Sequence, residues 1–153
     1  FPMHNWLPSA HPVAPAPASA LLSGIITKAG VIGIIRVLYF IAGPSVLRGT
    51  WVQTACLVLA LGTVFIGSML AYGERDFKKR LAYSSISQIS YVLTALFLLT
   101  EDGLTGGLLQ VFFHAWAKIG LFLIAGVIIH LAGLRNVEDF RGLGRRLSGG
   151  TAH

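Results

Sequence analysis

Acidic residues are scarce in this 153-residue chain. There are six, clustered as Glu74 with Asp76, Glu101 with Asp102 and Glu138 with Asp139, and none falls inside a long apolar run. No paired carboxylates are therefore placed for acid and base chemistry, and a Walker phosphate loop, an HExxH pair and a Ser-His-Asp order are missing as well, so no enzymatic chemistry, cofactor or metal is expected within the chain. Cysteine is almost absent. The single Cys56 excludes an internal disulfide and a cysteine metal cluster, and it says little about compartment. After residue 17 the only proline is Pro44, so little interrupts helices beyond that point. The opening FPMHNWLPSAHPVAPAPAS has no initiator methionine, basic stretch or early apolar core, and reads as the interior of a longer protein.

What remains is strongly apolar: 54% of residues are hydrophobic, 12% are charged and the mean hydropathy is +0.72. That balance belongs to an integral membrane segment. Between Arg48 and Glu74, Arg80 and Glu101, and Asp102 and Arg135, the only lysine, arginine or acid is Lys118. Each gap is long enough for the ~17–25 residues of a spanning helix. The expectation is an all-α membrane protein with about four transmembrane helices, over 18–41, 51–72, 81–100 and 104–133, following a proline-broken N-terminal segment. Residues 1–147 are read as a transport-domain fragment and 148–153, SGGTAH, as a linker-like tail.

Net charge is +6, with a pI near 10.0. On a soluble chain this would suggest nucleic acid. Here the basic residues instead gather beside the spans, Arg75, Lys78, Lys79 and Arg80 in the Gly73–Arg80 loop and Arg135, Arg141, Arg145 and Arg146 after the last span. Counting spans puts both groups on one side, and the positive-inside rule places loops 73–80 and 134–147 in the cytoplasm. The expected partner is the lipid bilayer, with no nucleic acid.

Pro2, Pro8, Pro12, Pro15 and Pro17 forbid one continuous helix over residues 1–17, which suits a re-entrant or interfacial stretch buried against protein. Its His4 and His11 have no acidic or cysteine co-ligand nearby, which favours hydrogen bonding over chelation. In the first span Ser19, Ser23 and Thr27 mark a polar face, and Gly24, Gly30 and Gly33 allow close helix contact. Lys28 falls near mid-span, whereas Arg36 lies two turns farther on, where it can snorkel to the interface. The second span is bracketed by Trp51 and Tyr72 and reads as a packing helix. On the third, Ser84, Ser87, Gln88 and Tyr91 form a row that either orders water or bonds helix to helix. The fourth exceeds thirty residues and must be tilted, interrupted or extended beyond the bilayer.

Gln110, His114 and Lys118 are spaced i, i+4, i+8 on that fourth span and share one face. A lysine at mid-bilayer costs roughly 2.5–3.5 kcal/mol on insertion scales, so two of them are hard to retain as filler. An amine held out of water exchanges its proton more readily near neutral pH, and an imidazole one turn away can pass it on. Lys28, His114 and Lys118 are thus the candidate proton relay. His130, near the end of the same helix, either extends the path or marks the interface. With no acid in any span, the counter-charges of both lysines are expected outside this piece.

Three motifs then carry a resemblance. PMHNWLPSAHPVAPAPASALLSGIITKAG, GERDFKKRLAYSSISQISY and HAWAKIGLFLIAG, in that order, resemble the proton-conducting antiporter-like membrane subunits: the L, M and N type subunits of respiratory complex I, Mrp-type cation/proton antiporter large subunits and hydrogenase membrane subunits. The resemblance implies a larger bundle of about fourteen helices with inverted repeats and a central chain of buried lysines, histidines and acids. It implies that Lys28, His114 and Lys118 lie on that axis, with His4 and His11 at motif positions. The implied partners are the rest of the same polypeptide and other membrane subunits of a complex, the implied cargo protons or Na+, and the implied location the plasma membrane of a prokaryote. Ser9 replaces an aspartate frequent in the family. The family's earlier glutamate and the lysines or glutamate of its broken helices fall outside these residues, so this piece alone is not expected to pump.

Overall fold

A computed structural model describes residues 6–133 and 136–140. His4, Arg135, Arg141, Arg145, Arg146 and the 148–153 tail lie outside the described residues, as does part of the 134–147 loop. Prolines set the start of the fold. Helix α1, Trp6–Val13, is followed by Pro15 in an extended conformation, and α2, Ala16–Ala42, begins with Pro17 in its first turn, where the missing N–H costs nothing. The broken N-terminal segment expected from the prolines is therefore two helices meeting at a corner.

Helix α2 contains two wide π turns, Leu22–Ile26 and Arg36–Ala42. It ends at Gly43, whose φ of 78° is a conformation glycine adopts freely. Pro44 then opens the short α3, Pro44–Leu47, and α4 runs over Trp51–Gly73. Trp51 and Tyr72 are both exposed at its ends, as an aromatic belt requires.

Two caps lengthen the next helices beyond the expected bounds. Asp76 accepts a hydrogen bond from the Lys79 N–H at 3.0 Å, so α5 spans Phe77–Phe97 and the run Lys78-Lys79-Arg80 is its first turn, not a loop. Thr100 accepts from the Gly103 N–H at 3.0 Å, which places Glu101 and Asp102 in the first turn of α6, Glu101–Ala132, where acids favour the helix dipole. Helix α6 ends at left-handed Gly133, φ 67°. Its 32 continuous residues span about 48 Å against a hydrocarbon core of about 30 Å, so it is tilted or extended, not interrupted.

Helices α2, α4 and α6 are long and apolar enough to cross a membrane. Helix α5 is not, because its basic first turn and its serines dilute its apolar residues. It nevertheless lies at the centre, packed on α4 and α6 with α1 across its start. Two apolar clusters hold the helices together. Ala20, Leu81, Phe122 and Ala125 join α2, α5 and α6 near one end, and Val31, Ile35, Val92 and Leu96 join α2 to α5 toward the other.

The Gly73–Phe77 turn meets the segment after α6. Asp76 pairs with Asn136 in an isolated antiparallel bridge, the Val137 N–H donates to the Arg75 carbonyl at 2.9 Å, and Arg75 lies 4.0 Å from Glu138. The two segments thus lie at one end of the bundle, as counting spans requires. Of the first-span glycines expected at contacts, Gly24 faces Ile119, whereas Gly30 and Gly33 are exposed and touch no other helix among the described residues. On α6, Gly126 faces Ala16. Because the Ala16 methyl already fills the space beside Gly126, Gly126→Val is expected to lower the melting temperature of the full-length protein, with an overpacking cost of about 1–3 kcal/mol. An unchanged melting curve would mean that α2 and α6 do not meet there.

Candidate functional site

The i+4 spacing on α6 translates into one inward stripe. Gln110 donates to the Gln88 side-chain oxygen at 2.6 Å, His114 and Lys118 are buried at 7% and 3% exposure, and Phe122, one further turn along, is fully buried. Around the stripe the helix is lipid-like, with Phe112, Phe113 and Trp116 exposed. Lys28 approaches from α2 and is 6% exposed.

Each lysine amine donates to one backbone carbonyl. Lys28 donates to the Ser23 carbonyl, which lies in the first π turn of α2 and also accepts from the Thr27 hydroxyl at 3.1 Å. Wide turns of this kind occur often at functional positions, since they disturb the regular carbonyl ladder. Lys118 donates to the Leu81 carbonyl of α5 at 2.8 Å. A hydrogen bond from a charged donor is worth about 1.5–3 kcal/mol, comparable with the insertion cost of about 2.5–3.5 kcal/mol. One carbonyl each therefore goes far toward holding the amines but leaves little surplus. Among the described residues the one ion pair is Arg75 with Glu138, at the surface, so no carboxylate meets either lysine.

The relay candidates come together. His114 lies within Coulombic reach of Lys28 and Lys118, and Lys118 within reach of Lys28. His11 joins this centre from α1. Its ring is fully buried and stacks on Phe122 at 4.7 Å between centroids, within electrostatic reach of Lys118 and of Lys78. Lys78 in turn donates to the Ala14 carbonyl at the α1–α2 corner, 3.1 Å away. Both ring nitrogens of His11, and Nε2 of His114, have no hydrogen-bond partner among the described residues.

The α5 row behaves differently. Ser84, Ser87, Gln88 and Tyr91 line a cleft of about 360 Å³ together with Ser68, Ala71, Tyr72 and Arg80, on the side facing α4. There Ser87 bonds Ser68 at 2.8 Å and the Val64 carbonyl at 3.3 Å. Only Gln88 reaches from this row to the lysine side, through Gln110. His130 is exposed near the end of α6, away from the buried cluster.

Sequence reasoning did not single out Ser85. Its hydroxyl is fully buried and lies 2.9 Å from that of Ser23, which had been read only as part of a polar face. A signal was present, because Leu81, Ser85, Gln88, Val92 and Leu96 form one stripe at helical spacing, and the apolar members mark it as the inward face.

Comparison with known proteins decides the wider frame. The family described as NADH:quinone oxidoreductase/Mrp antiporter, transmembrane, matches residues 1–147. The chain belongs to this family. It is 37% identical over 147 residues to NADH-quinone oxidoreductase subunit N of Desulforudis audaxviator, covering 96% of this chain and 29% of that protein. It is 36% identical over 160 residues to hydrogenase-4 component B of Escherichia coli, covering 96% and 23%, and 35% identical over 147 residues to an NAD(P)H-quinone oxidoreductase chain 4 of a Picosynechococcus, covering 95% and 27%. The chain thus spans less than a third of the length of these relatives. The family assignment agrees with the membrane class and with the resemblance carried by the three motifs.

Replacing His11 by phenylalanine tests whether its nitrogens are truly without partners. A buried unpaired polar group costs about 1–3 kcal/mol, so His11→Phe in the full-length protein is expected to leave the melting temperature unchanged or to raise it. A clear fall would place a partner for the imidazole elsewhere in the complete protein.

Proposed function

We propose that this segment is the central part of an antiporter-like membrane subunit that moves protons, with Lys28, His114 and Lys118 as the groups that take up and release them. The observation that carries this reading is the burial of two lysines and a histidine, from α2 and α6, in one apolar bundle where no carboxylate pairs with them among the described residues. Membership of a family that joins quinone oxidoreductases and Mrp antiporters supports it. Gln110 and Gln88 hold α6 to α5 beside the relay, His11 extends it toward Lys78, and the Ser84, Ser87, Tyr91 cleft orders water on the α4 side. His4 belongs to the same path by motif position. His130, at an exposed end, meets water.

The acidic partners of the lysines belong to the remaining part of the polypeptide or to neighbouring membrane subunits. The assembly is a complex I-related, hydrogenase-type or Mrp-type complex in a prokaryotic plasma membrane, with segments 73–80 and 134–147 cytoplasmic, as the basic residues there favour. Sodium-dependent exchange in vesicles would point to the Mrp type, and transport driven by electron transfer to the other two.

A structural reading has its own support: each lysine already donates to a backbone carbonyl, as a purely packing residue would. Lys118→Ala in the full-length, assembled complex separates the two. Under the relay reading the complex assembles on native gels and proton transport in vesicles falls on the order of tenfold or more. Undiminished transport removes the relay, and lost assembly with normal transport per assembled complex favours packing.

A further inference from the structure

Two sets of hydrogen bonds, one at Lys28 and one at Lys118, meet at Ser23, whose backbone carbonyl holds Lys28 and whose hydroxyl faces Ser85. The Lys28 amine donates to the Ser23 carbonyl. The Ser23 hydroxyl shares a 2.9 Å hydrogen bond with the Ser85 hydroxyl across the α2–α5 contact. Ser85 lies 3.0 Å from the Leu81 carbonyl, one turn back on its own helix, and that carbonyl also accepts from Lys118 at 2.8 Å. Both hydroxyls are fully buried, so water does not compete for them.

The direction of these bonds matters. When Ser85 donates to Leu81, Ser23 donates to Ser85, and the Leu81 carbonyl then serves Ser85 and Lys118 at once. When the pair reverses, Ser85 donates to Ser23 and the carbonyl is left to Lys118 and the helix ladder. The Lys118 amine and the Ser85 hydroxyl thus compete for one acceptor, and the far member of the pair belongs to the residue whose carbonyl holds Lys28. Hydroxyl reversal proceeds by rotation about the two C–O bonds, and it turns the buried Ser23 proton away from Ser85, with no other acceptor for it among the described residues. No covalent change is required, and neither serine needs to lose its proton.

We propose that Ser23 and Ser85 form a coupling pair of positioning residues, through which the docking of Lys28 and that of Lys118 are linked. This rests on the relay reading above, and it assigns to α5 a part in that relay beyond packing. It also accounts for a buried polar contact lying between two apolar clusters, the Ala20–Phe122 cluster and the Val31–Val92 cluster. Two small apolar residues would close the same gap without leaving hydroxyls to satisfy.

The test uses the full-length protein in its assembled complex, with Ser23→Ala, Ser85→Ala, the double variant, Ser85→Thr and Lys118→Ala measured side by side. Proton transport in vesicles is read per assembled complex, with native gels giving the assembled amount. Each single alanine variant is expected to lower transport about fivefold, the equivalent of one hydrogen bond. The double variant is expected to fall no further than the singles, because paired residues act as a unit, and Ser85→Thr, which keeps the hydroxyl, is expected to recover transport to within about twofold of the starting protein. Wild-type transport in Ser85→Ala beside a defective Lys118→Ala overturns the coupling pair and leaves the relay standing. Wild-type transport in Lys118→Ala overturns the relay itself. A double variant whose loss is the product of the two singles overturns the pairing, and a Ser85→Ala protein that assembles poorly yet transports normally per complex shows the pair to be structural only. Should both alanine variants fail to assemble, Ser85→Thr decides: transport below that of the starting protein by more than about fivefold in assembled complexes overturns the proposal.

Discussion

Every polar group buried in a lipid-spanning bundle must find its partner within the protein. For Lys28 and Lys118 that demand is acute, because no carboxylate meets either of them among the described residues. Both amines turn to helix carbonyls instead, on Ser23 and Leu81. A regular helix already uses its carbonyls in its own ladder, so a second donor must come in beside the first. The π turn over Leu22–Ile26 is a local answer to that crowding at Ser23, whereas at Leu81 the Ser85 hydroxyl adds a further donor to the same carbonyl. Close packing follows from the same demand, since a lysine on α6 reaches an α5 carbonyl only if the helices approach at small residues such as Ala82 and Ala125, both fully buried.

Helix α5 is the least lipid-like of the long helices and the most enclosed. These are one property seen twice. Its serines would be costly against lipid, whereas between α2, α4 and α6 three of them find partners: Ser85 with Ser23, Ser87 with Ser68, Ser90 with the Ile86 carbonyl of its own helix. Hydroxyl contacts of this kind are worth about 0.6 kcal/mol each on average between membrane helices, less than a well-packed apolar contact is in water. An interface built on them is held by several weak and reorientable bonds.

Much of the fold was legible in advance because charge and proline are sharp signals. Long gaps between charges located the spans, five early prolines broke the N-terminal segment and Gly43-Pro44 ended α2. Boundaries moved by a few residues where a cap captured the next turn, Asp76 for α5 and Thr100 for α6. The Gln110, His114, Lys118 stripe was legible because helical spacing fixes which residues share a face, and Lys28 because a mid-span amine is expensive. Ser85 was not, since serine between membrane helices is ordinary glue and nothing in its identity separates glue from a coupling role. Ser84, Ser87 and Tyr91 shared a face as expected, yet that face meets α4 and not the lysines.

The amino-acid sequence by itself determined the membrane class, the helical spans, the family and the residues that would be anomalous in lipid, because each of these depends on composition, periodicity or motif. Only the tertiary structure decided what meets those residues: that His11 stacks on Phe122, that Lys118 ends on Leu81 and that two serines stand between the lysines. The physical reason lies in the acceptors. Lys28 and Lys118 are held by backbone carbonyls, which every residue possesses, so no side chain announces them. Their selection is set by the approach of one helix to another.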